Sequence, residues 1–482
     1  MTEYLELAPD LTISRVLTGL WQIADLERSG VTLDPEETSR YMTPYVEAGF
    51  TTFDMADHYG SAEVIAGHFR NHEQAGTRAQ LLTKWVPKPG AVTKREVRDA
   101  VQLSLDRMKV HKLDMLQYHA WNYSDPAWLD SLFWLQELKE EGLIGHLGLT
   151  NFDAAHLRVA VASGIEVLTN QVSYSLLDQR AAGDMTAVCQ QYGVKILAFG
   201  TIAGGFLTEK WLGQPEPGPD QLATWSQMKY KRFIDAAGGW SRFQELLSAL
   251  ADVSRKHAVS MSVVSSRYML DRAAVGGIIL GARLGHGDHV QENLAIFSVA
   301  LDQEDRDRLE QAMSGLDPIP GGCGDEYRKP PFLTASGDLS DHLEQLPPVF
   351  SPLTDENGKS RVLSGTAWED FAGYCRAIRS GERILISGTT AAHRERLIGG
   401  SDPAAQTHFV IDKIQAAIES LGGKLEDVDR TRIFVSDIKT WESVARAHGE
   451  RFELIKPVNT LVEAKLVGTD FLVEIEAEAR AR

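Results

Sequence analysis

The sequence predicts a (β/α)8 TIM barrel followed by a small α+β domain, and three observations carry that prediction. Short β-rich apolar runs alternate with amphipathic stretches through the first two thirds of the chain, and there are eight such runs. No G-x-G-x-x-G turn follows the first run, which argues against a doubly wound dinucleotide-binding sheet. Near Asp317 the composition changes to proline, glycine, serine and aspartate, and a different strand and helix pattern begins beyond it.

The eight runs are RVLTGLW (15–21), FTTFDMA (50–56), QLLTKW (80–85), LDMLQYH (113–119), HLGLTN (146–151), EVLTNQV (166–172), VKILAFG (194–200) and VGGIILG (275–281). Near-continuous apolar character marks strands covered on both faces. Between them, segments such as EVRDAVQLSLDRM and DSLFWLQELKE repeat apolar residues every three or four positions, as a helix packed on a sheet requires. The barrel is expected over 1–316 and an extended Pro/Gly-rich connector over 317–360. A compact domain is expected over 361–482, with strands in YCRAIRSG, RILISGTTA, RTRIFVSD, NTLVEAKL and FLVEIEAEA and helices around 403–421 and 440–454.

Composition narrows the function. A chain of 482 residues that is 43% hydrophobic and 24% charged has the make-up of an ordinary globular protein. Its formal charge of −18 argues against nucleic acid and anionic membranes as partners. The three cysteines, Cys189, Cys323 and Cys375, form neither a CxxC pair nor a disulfide framework. With no signal-like start and no apolar run of spanning length, a cytoplasmic protein is expected, and no metal site is expected.

In a parallel barrel the C-terminal strand ends converge on one mouth. Here those ends carry Trp21, Asp54 with Tyr59 just after it, Lys84, His119, Thr150, Asn151, Gln171 and Phe199. Any one of these alone reads as a structural polar or packing residue, but buried polar groups are costly, and a full rim of them reads as a site. Reduction of a carbonyl needs a hydride donor on one face and a proton donor at the oxygen. A tyrosine titrates near pH 10 when unperturbed, which is too high for easy exchange at neutral pH. A lysine ammonium lowers it by stabilising the tyrosinate, and a carboxylate keeps the lysine charged and in place. Asp54, Tyr59 and Lys84 supply those three parts, and His119 would orient the substrate oxygen.

The stretches FDMADHYGSAE, LLTKW, DMLQYHAW, IGHLGLTNF, NQVSYS and IILGARLGHGDHVQENL, in this order, resemble the aldo-keto reductases over about residues 5–315. That resemblance implies a (β/α)8 barrel using NAD(P)H without a Rossmann fold, with Asp54, Tyr59, Lys84 and His119 as the catalytic tetrad and Tyr59 as acid/base. It implies Thr150, Asn151 and Gln171 at the nicotinamide carboxamide, with Phe199 stacked on the ring beside Gly200 and Trp21 also at the cofactor. Core packing is the alternative role for Phe199. Arg283 is placed to meet a 2′-phosphate, with His289 six positions on, so NADP(H) is favoured over NAD(H). Glu292 and Asn293 match adenine contacts. Gly281, Gly285 and Gly287 read as turn residues. Trp21, Trp85 and Trp121 are expected to form an aromatic substrate wall, and the long segment 203–240 to lie over the mouth.

The stretches RAIRSGERILISGTTA, QTHFVIDKIQAAIESLGGKLEDVDRTRIFVSDIKTW and PVNTLVEAKLVGTDFLVEIEAEA resemble the Rid (YjgF-type) family over about 361–482. That resemblance implies a chorismate-mutase-like fold, a six-stranded sheet with two helices, in a homotrimer with clefts between subunits. Its imine-deaminating members hold a substrate carboxylate with an arginine. Asn459 stands at that position here, and a neutral amide cannot form the bidentate charged pair. Glu476 matches an acidic residue near the cleft. The leading reading is therefore an NADPH-dependent oxidoreductase of a small aldehyde, ketone or sugar-like alcohol, with a Rid-like part that assembles the protein or handles a reactive intermediate. The alternatives are an NADPH-binding redox sensor with little turnover, and a Rid-type imine or enamine hydrolase supported by the barrel.

Overall fold

The computed structural model describes residues 2–285, 289–334, 343 and 347–481. An antiparallel hairpin, β1 (Tyr4–Ala8) and β2 (Leu11–Ser14), precedes the barrel. Eight parallel strands then close on themselves: β3 (Val16–Gly19), β4 (Thr52–Asp54), β5 (Gln80–Trp85), β6 (Leu113–Tyr118), β7 (Ile144–Thr150), β8 (Val167–Ser173), β9 (Lys195–Phe199) and β10 (Val275–Gly281), which pairs back onto β3. Each apolar run read from the sequence supplies one of these strands.

Period-two alternation organises the barrel interior. Leu17, Leu82, Met115, Leu197 and Ile279 form an apolar floor with Leu11 and Ile13 of the hairpin, which closes the bottom. Two residues further along their strands stand Gly19, Lys84, Gln117, Phe199 and Gly281, and two beyond Thr52 and Thr169 stand Asp54 and Gln171. The layer above the floor is therefore mostly polar or open. The surrounding helices follow ordinary rules, as the Lys94–Met108 helix shows. Thr93 and Glu96 form its capping box, and Val97, Val101, Leu105 and Met108 are buried along one face.

The expected connector differs from an extended linker at both ends. From Ile319 to Thr334 the chain packs on the barrel, burying Ile319, Cys323, Leu333 and Thr334 and forming a helical turn at Asp325–Arg328. Arg180 holds that turn, bonding Glu326 at 2.8 Å and the Gly322 carbonyl at 2.9 Å. At the other end Leu353–Thr354 and Ser360–Val362 already belong to the following sheet. The remaining part of the connector reading, 335–342 and 344–346, lies outside the described residues.

The C-terminal sheet has the strand order Leu353–Thr354, Ser360–Val362, Ala377–Ser380, Arg383–Thr390, Val473–Arg480, Val428–Val435, Val458–Glu463, so seven strands stand where six were expected. The addition is the two-residue edge strand. Along Val473–Arg480, alternate residues Val473, Ile475, Ala477 and Ala479 turn inward, while Glu474, Glu476 and Glu478 face outward. The Pro403–Ser420 helix is buried almost all round because it lies between this sheet and the barrel's Ala154–Ala162 helix.

That helix pair is the seam between the two parts of the chain. His156 is bonded through Nδ1 to Asp153 at 2.7 Å and through Nε2 to Asp412 at 3.1 Å. Arg451 also bonds Asp412, at 2.6 Å, and the His156 ring stacks on Tyr123 at 3.6 Å. Arg158 reaches Asp402 at 2.7 Å, and His393 and Arg394 both reach Asp130 at 3.0 Å. Burial pulls the His156 pKa down, but the charges of Asp153 and Asp412 outweigh it, and the net shift is upward. The Asp412 carboxyl is held low against its own burial by Arg451 and His156.

A group whose pKa rises on folding stabilises the fold fully below its unfolded value, about 6.5 for histidine, and less as pH rises through the folded value. Asp412→Asn is expected to cost about 3 kcal/mol by unpairing buried charge. Chemical denaturation should find that cost largest below about pH 6.5 and shrinking above it. A cost independent of pH would show that His156 is not the charged partner.

Candidate active site

A cavity of about 420 Å³ opens at the C-terminal ends of the barrel strands. Trp21, Asp54, Tyr59, Lys84, His119, Trp121, Thr150, Asn151, Gln171, Phe199, Gly200 and Arg283 all line it, as does His289. The rim residues read from eight separate stretches of sequence thus converge on one space.

At its base the Asp54 carboxylate is buried and fully engaged. Oδ2 accepts from Lys84 Nζ at 2.7 Å, and Oδ1 accepts from Gln171 Nε2 at 2.7 Å and Gln117 Nε2 at 3.1 Å. Gln171 Nε2 also donates to Gln117 Oε1 at 2.9 Å, so side chains from three strands, β5, β6 and β8, bind one anion. Burial pushes the Lys84 pKa down while Asp54 opposes that shift by charge and hydrogen bond. Lys84 Nζ lies 4.9 Å from the centre of the Tyr59 ring, which packs edge-on to Trp21, also at 4.9 Å.

His119 sits between Trp121 and Tyr327, at ring separations of 4.6 and 5.8 Å. Burial, reinforced by the charge of Arg328, pushes its pKa down to about 3, so the imidazole is neutral at ordinary pH. Neither of its buried ring nitrogens, nor Asn151 Oδ1, has a hydrogen-bond partner among the described residues. Unsatisfied buried polar atoms on a cavity wall suit a polar ligand that completes them. Asn151 has a φ of 60°, an unusual backbone for a non-glycine residue. The Thr150 hydroxyl donates to the Gln171 carbonyl at 3.3 Å.

The segment after β9 does lie over the mouth. Its Trp225–Ala236 helix presents Gln227, Lys229 and Tyr230 to the cavity, and Lys229 Nζ is 4.9 Å from the Phe199 ring. Gly200 is required beside it, because with φ of 73° a Cβ there would stand 1.8 Å from the Tyr230 hydroxyl.

Three expected residues are not brought to the cavity. Trp85 is buried against Tyr118 at 5.5 Å, since it follows the inward Lys84 on β5 and so faces the helix layer. Glu292 accepts from the Ser260 hydroxyl at 2.7 Å and from Ser262, and pairs with His289 at 3.3 Å, so it is held outside the cavity lining, as is Asn293. Gly285 is in a turn, with φ of 80°, and Gly287 lies outside the described residues.

Sequence reasoning missed Gln117, Lys229 and Tyr327. Gln117 was legible, since it lies two residues before His119 on the inward face of β6. Lys229 comes from the helix within the long insertion and Tyr327 from the stretch read as connector, where nothing in the local sequence points to the cavity.

In the C-terminal part, Asn459 donates to the Thr431 hydroxyl at 2.9 Å and Glu476 pairs with Arg432 across the outward sheet face. Glu476 lines a separate surface depression with Arg383, Arg430 and Glu478, and Asn459 does not. The two expected cleft residues are not joined within one chain.

Residues 15–314 match the Aldo/keto reductase family, and residues 365–481 match the family described as Endoribonuclease L-PSP. The NADH-specific methylglyoxal reductase of Escherichia coli is 23% identical over 330 residues, covering 64% of this chain and 97% of that protein. An uncharacterized protein of Streptomyces coelicolor is 37% identical over 120 residues, covering 25% of this chain and 90% of that protein. The glycerol dehydrogenase structure from Gluconobacter oxydans overlays with a TM-score of 0.53 at 21% identity, covering 65% of this chain and 95% of that one, which supports the barrel fold. The first match spans more than half of the chain, which therefore belongs to the aldo/keto reductase family, an NAD(P)H-dependent oxidoreductase carrying a C-terminal Rid-like domain.

Proposed function

We propose that the chain is an NADPH-dependent carbonyl reductase acting on an aldehyde, ketone or sugar-like substrate, with Tyr59 as the proton donor. The observation that carries this reading is the buried Asp54–Lys84 pair beneath the Tyr59 ring at the base of the cavity. A nicotinamide bound there would supply the hydride. Asn151 Oδ1 is free to accept from its carboxamide, Thr150 and Gln171 flank the same position, and Phe199 and Gly200 offer a flat wall for the ring.

As hydride reaches the carbonyl carbon, the substrate oxygen takes the Tyr59 proton, leaving a tyrosinate. The Lys84 ammonium stabilises that anion, and Asp54 favours the charged form of Lys84 against the downward pull of its burial. A neutral His119 donates one ring N–H to the same oxygen without competing as an acid. Run backwards with oxidised cofactor, the same groups oxidise an alcohol.

Arg283, exposed at the cavity rim with His289, supports the phosphate-bearing cofactor. The outward face of the C-terminal sheet, with Leu385 beside Arg430, Arg432, Glu476 and Glu478, supports a homotrimer in which the Rid-like domain assembles the protein. Engagement of Asn459 and Glu476 with residues of their own chain favours that role over imine hydrolysis. The cysteines, unpaired and with Cys189 and Cys323 buried, suit a cytoplasmic setting.

Tyr59→Phe is expected to lower kcat by about 10²–10⁴-fold while leaving cofactor affinity intact, read as NADPH oxidation over a panel of small aldehydes and ketones. Tight NADPH binding with no turnover by the unaltered protein would favour a redox-sensing role instead. Arg283→Ala should raise the KM for NADPH by about ten-fold or more and leave that for NADH nearly unchanged. Equal effects on both would overturn the cofactor assignment. Light scattering should return the mass of three chains, and a monomer would remove assembly as the role of the C-terminal domain.

A further inference from the structure

Tyr59 stands on a turn beyond β4 rather than on the strand itself, so its place over Lys84 depends on what holds that turn. Within the chain, the Tyr59 amide donates to the Ala56 carbonyl at 3.1 Å, and the Tyr59 carbonyl accepts from the Ala62 amide at 3.1 Å. Ser61 then opens the Ala62–His72 helix, yet its side chain makes no capping bond to that helix. It is gripped from elsewhere. Its amide donates to Glu27 Oε2 at 2.9 Å, and its hydroxyl donates to Glu27 Oε1. A carboxylate in this place also suits the positive end of the helix.

Gly60 is what lets Glu27 come so close. Its φ is 55°, and a Cβ there would stand 1.8 Å from Glu27 Oε2, so a side chain at residue 60 and this grip exclude each other. Glu27 belongs to the Trp21–Arg28 helix, on the opposite side of the turn. Trp21, at the start of that helix, lies edge-on to the Tyr59 ring at 4.9 Å. Arg28, at its end, lies over the Trp21 and Trp225 rings at 5.0 and 5.9 Å, which ties the helix to the insertion over the mouth. One short helix thus touches the Tyr59 ring at one end and holds the turn just past Tyr59 at the other.

We infer that Glu27 is a positioning residue for Tyr59, fixing the phenol over Lys84 by holding Ser61. This rests on the reductase reading and adds to it a side chain that lies behind the cavity lining and touches no reacting atom. It acts by restricting where the phenol can lie when the substrate oxygen takes its proton. A misplacement of about 1 Å at such a centre costs up to about 10²-fold in rate.

The test uses the full-length protein with Glu27→Ala and Glu27→Gln, each made alone and together with Tyr59→Phe, and reads both aldehyde-dependent NADPH oxidation and the NADPH Kd. Glu27→Ala should lower kcat by about ten-fold or more and change the Kd little. Glu27→Gln keeps the length and one acceptor for the Ser61 amide, and should recover most of the loss. With Tyr59 already replaced by phenylalanine, Glu27→Ala should cost nothing further, because the phenol it positions is gone. An equal loss in both backgrounds would overturn the inference. So would a Kd raised in step with the lost rate, which would assign Glu27 to the cofactor wall through Trp21.

Fluorine NMR of protein labelled with meta-fluorotyrosine needs no turnover, and the Tyr59 signal is the one lost in Tyr59→Phe. Glu27→Ala should shift or broaden that signal and leave those of the fully buried Tyr174 and Tyr268 in place, which also shows that the variant folds. A moved Tyr59 signal supports the positioning role even if no carbonyl is reduced, a result that would sink only the reductase reading. An unmoved one sinks the positioning role itself.

Discussion

One buried carboxylate sets the terms for the barrel mouth. Asp54 stands directly above an apolar floor, where an unpaired charge costs several kcal/mol. It is tolerated because Lys84, Gln117 and Gln171 converge on its two oxygens from β5, β6 and β8. That convergence fixes register. A slip of one residue in any of those strands turns its donor out toward the helices and leaves the anion short. The constraint that keeps the barrel correctly closed is therefore the same one that holds the Lys84 side chain beneath Tyr59. Fold and site geometry are not separable here, because the donors that satisfy Asp54 are the same side chains that line the base of the cavity.

The second constraint is how the mouth is walled. The barrel alone would leave His119 open beyond Trp121. Chain that follows the last barrel helix returns across the top, and Arg180, from the loop after β8, anchors it through Glu326 and the Gly322 carbonyl. Gly324, at φ of 80°, lets this return pass so close to Asn151 that a Cβ would stand 2.0 Å from the Asn151 carbonyl oxygen. Tyr327 and Arg328 are carried into place by that passage. One walls the cavity, and the other stacks on Tyr123 at 4.5 Å and bonds the Ala120 carbonyl at 3.2 Å.

The barrel was legible because its signals are periodic. Apolar runs alternating with amphipathic helices gave the strand count, and strand-end positions gave Asp54, Lys84, His119, Thr150, Asn151 and Gln171. Period two also separates Lys84 from Trp85, and applying it to β5 would have kept Trp85 out of the expected substrate wall. Lys229 and Tyr327 were not legible for a different reason. Their placement depends on a helix and a helical turn that distant chain carries over the mouth, and a lysine in KYKRF or a tyrosine beside prolines reads locally as surface. The extra edge strand at Leu353–Thr354 was hidden in the same way, inside a stretch whose prolines and glycines mark a connector.

The seam between the two parts of the chain falls on the helix that follows β7. That helix begins at its N-cap Asp153, two residues after Asn151, and Asp153 both accepts from the His156 backbone and bonds the His156 ring. His156 in turn is bound by Asp412, so the cap that starts this helix is loaded from the C-terminal domain. Tyr123, stacked on His156, is covered on the Arg328 side by the guanidinium that also depresses the His119 pKa. Removing the Pro403–Ser420 helix would take Asp412 from His156, and the helix start two residues beyond Asn151 would lose that support. The second domain also reaches the chain after β6, where the Ser124 hydroxyl donates to Glu419 at 3.0 Å, but at β7 it stands directly behind residues that face the cavity.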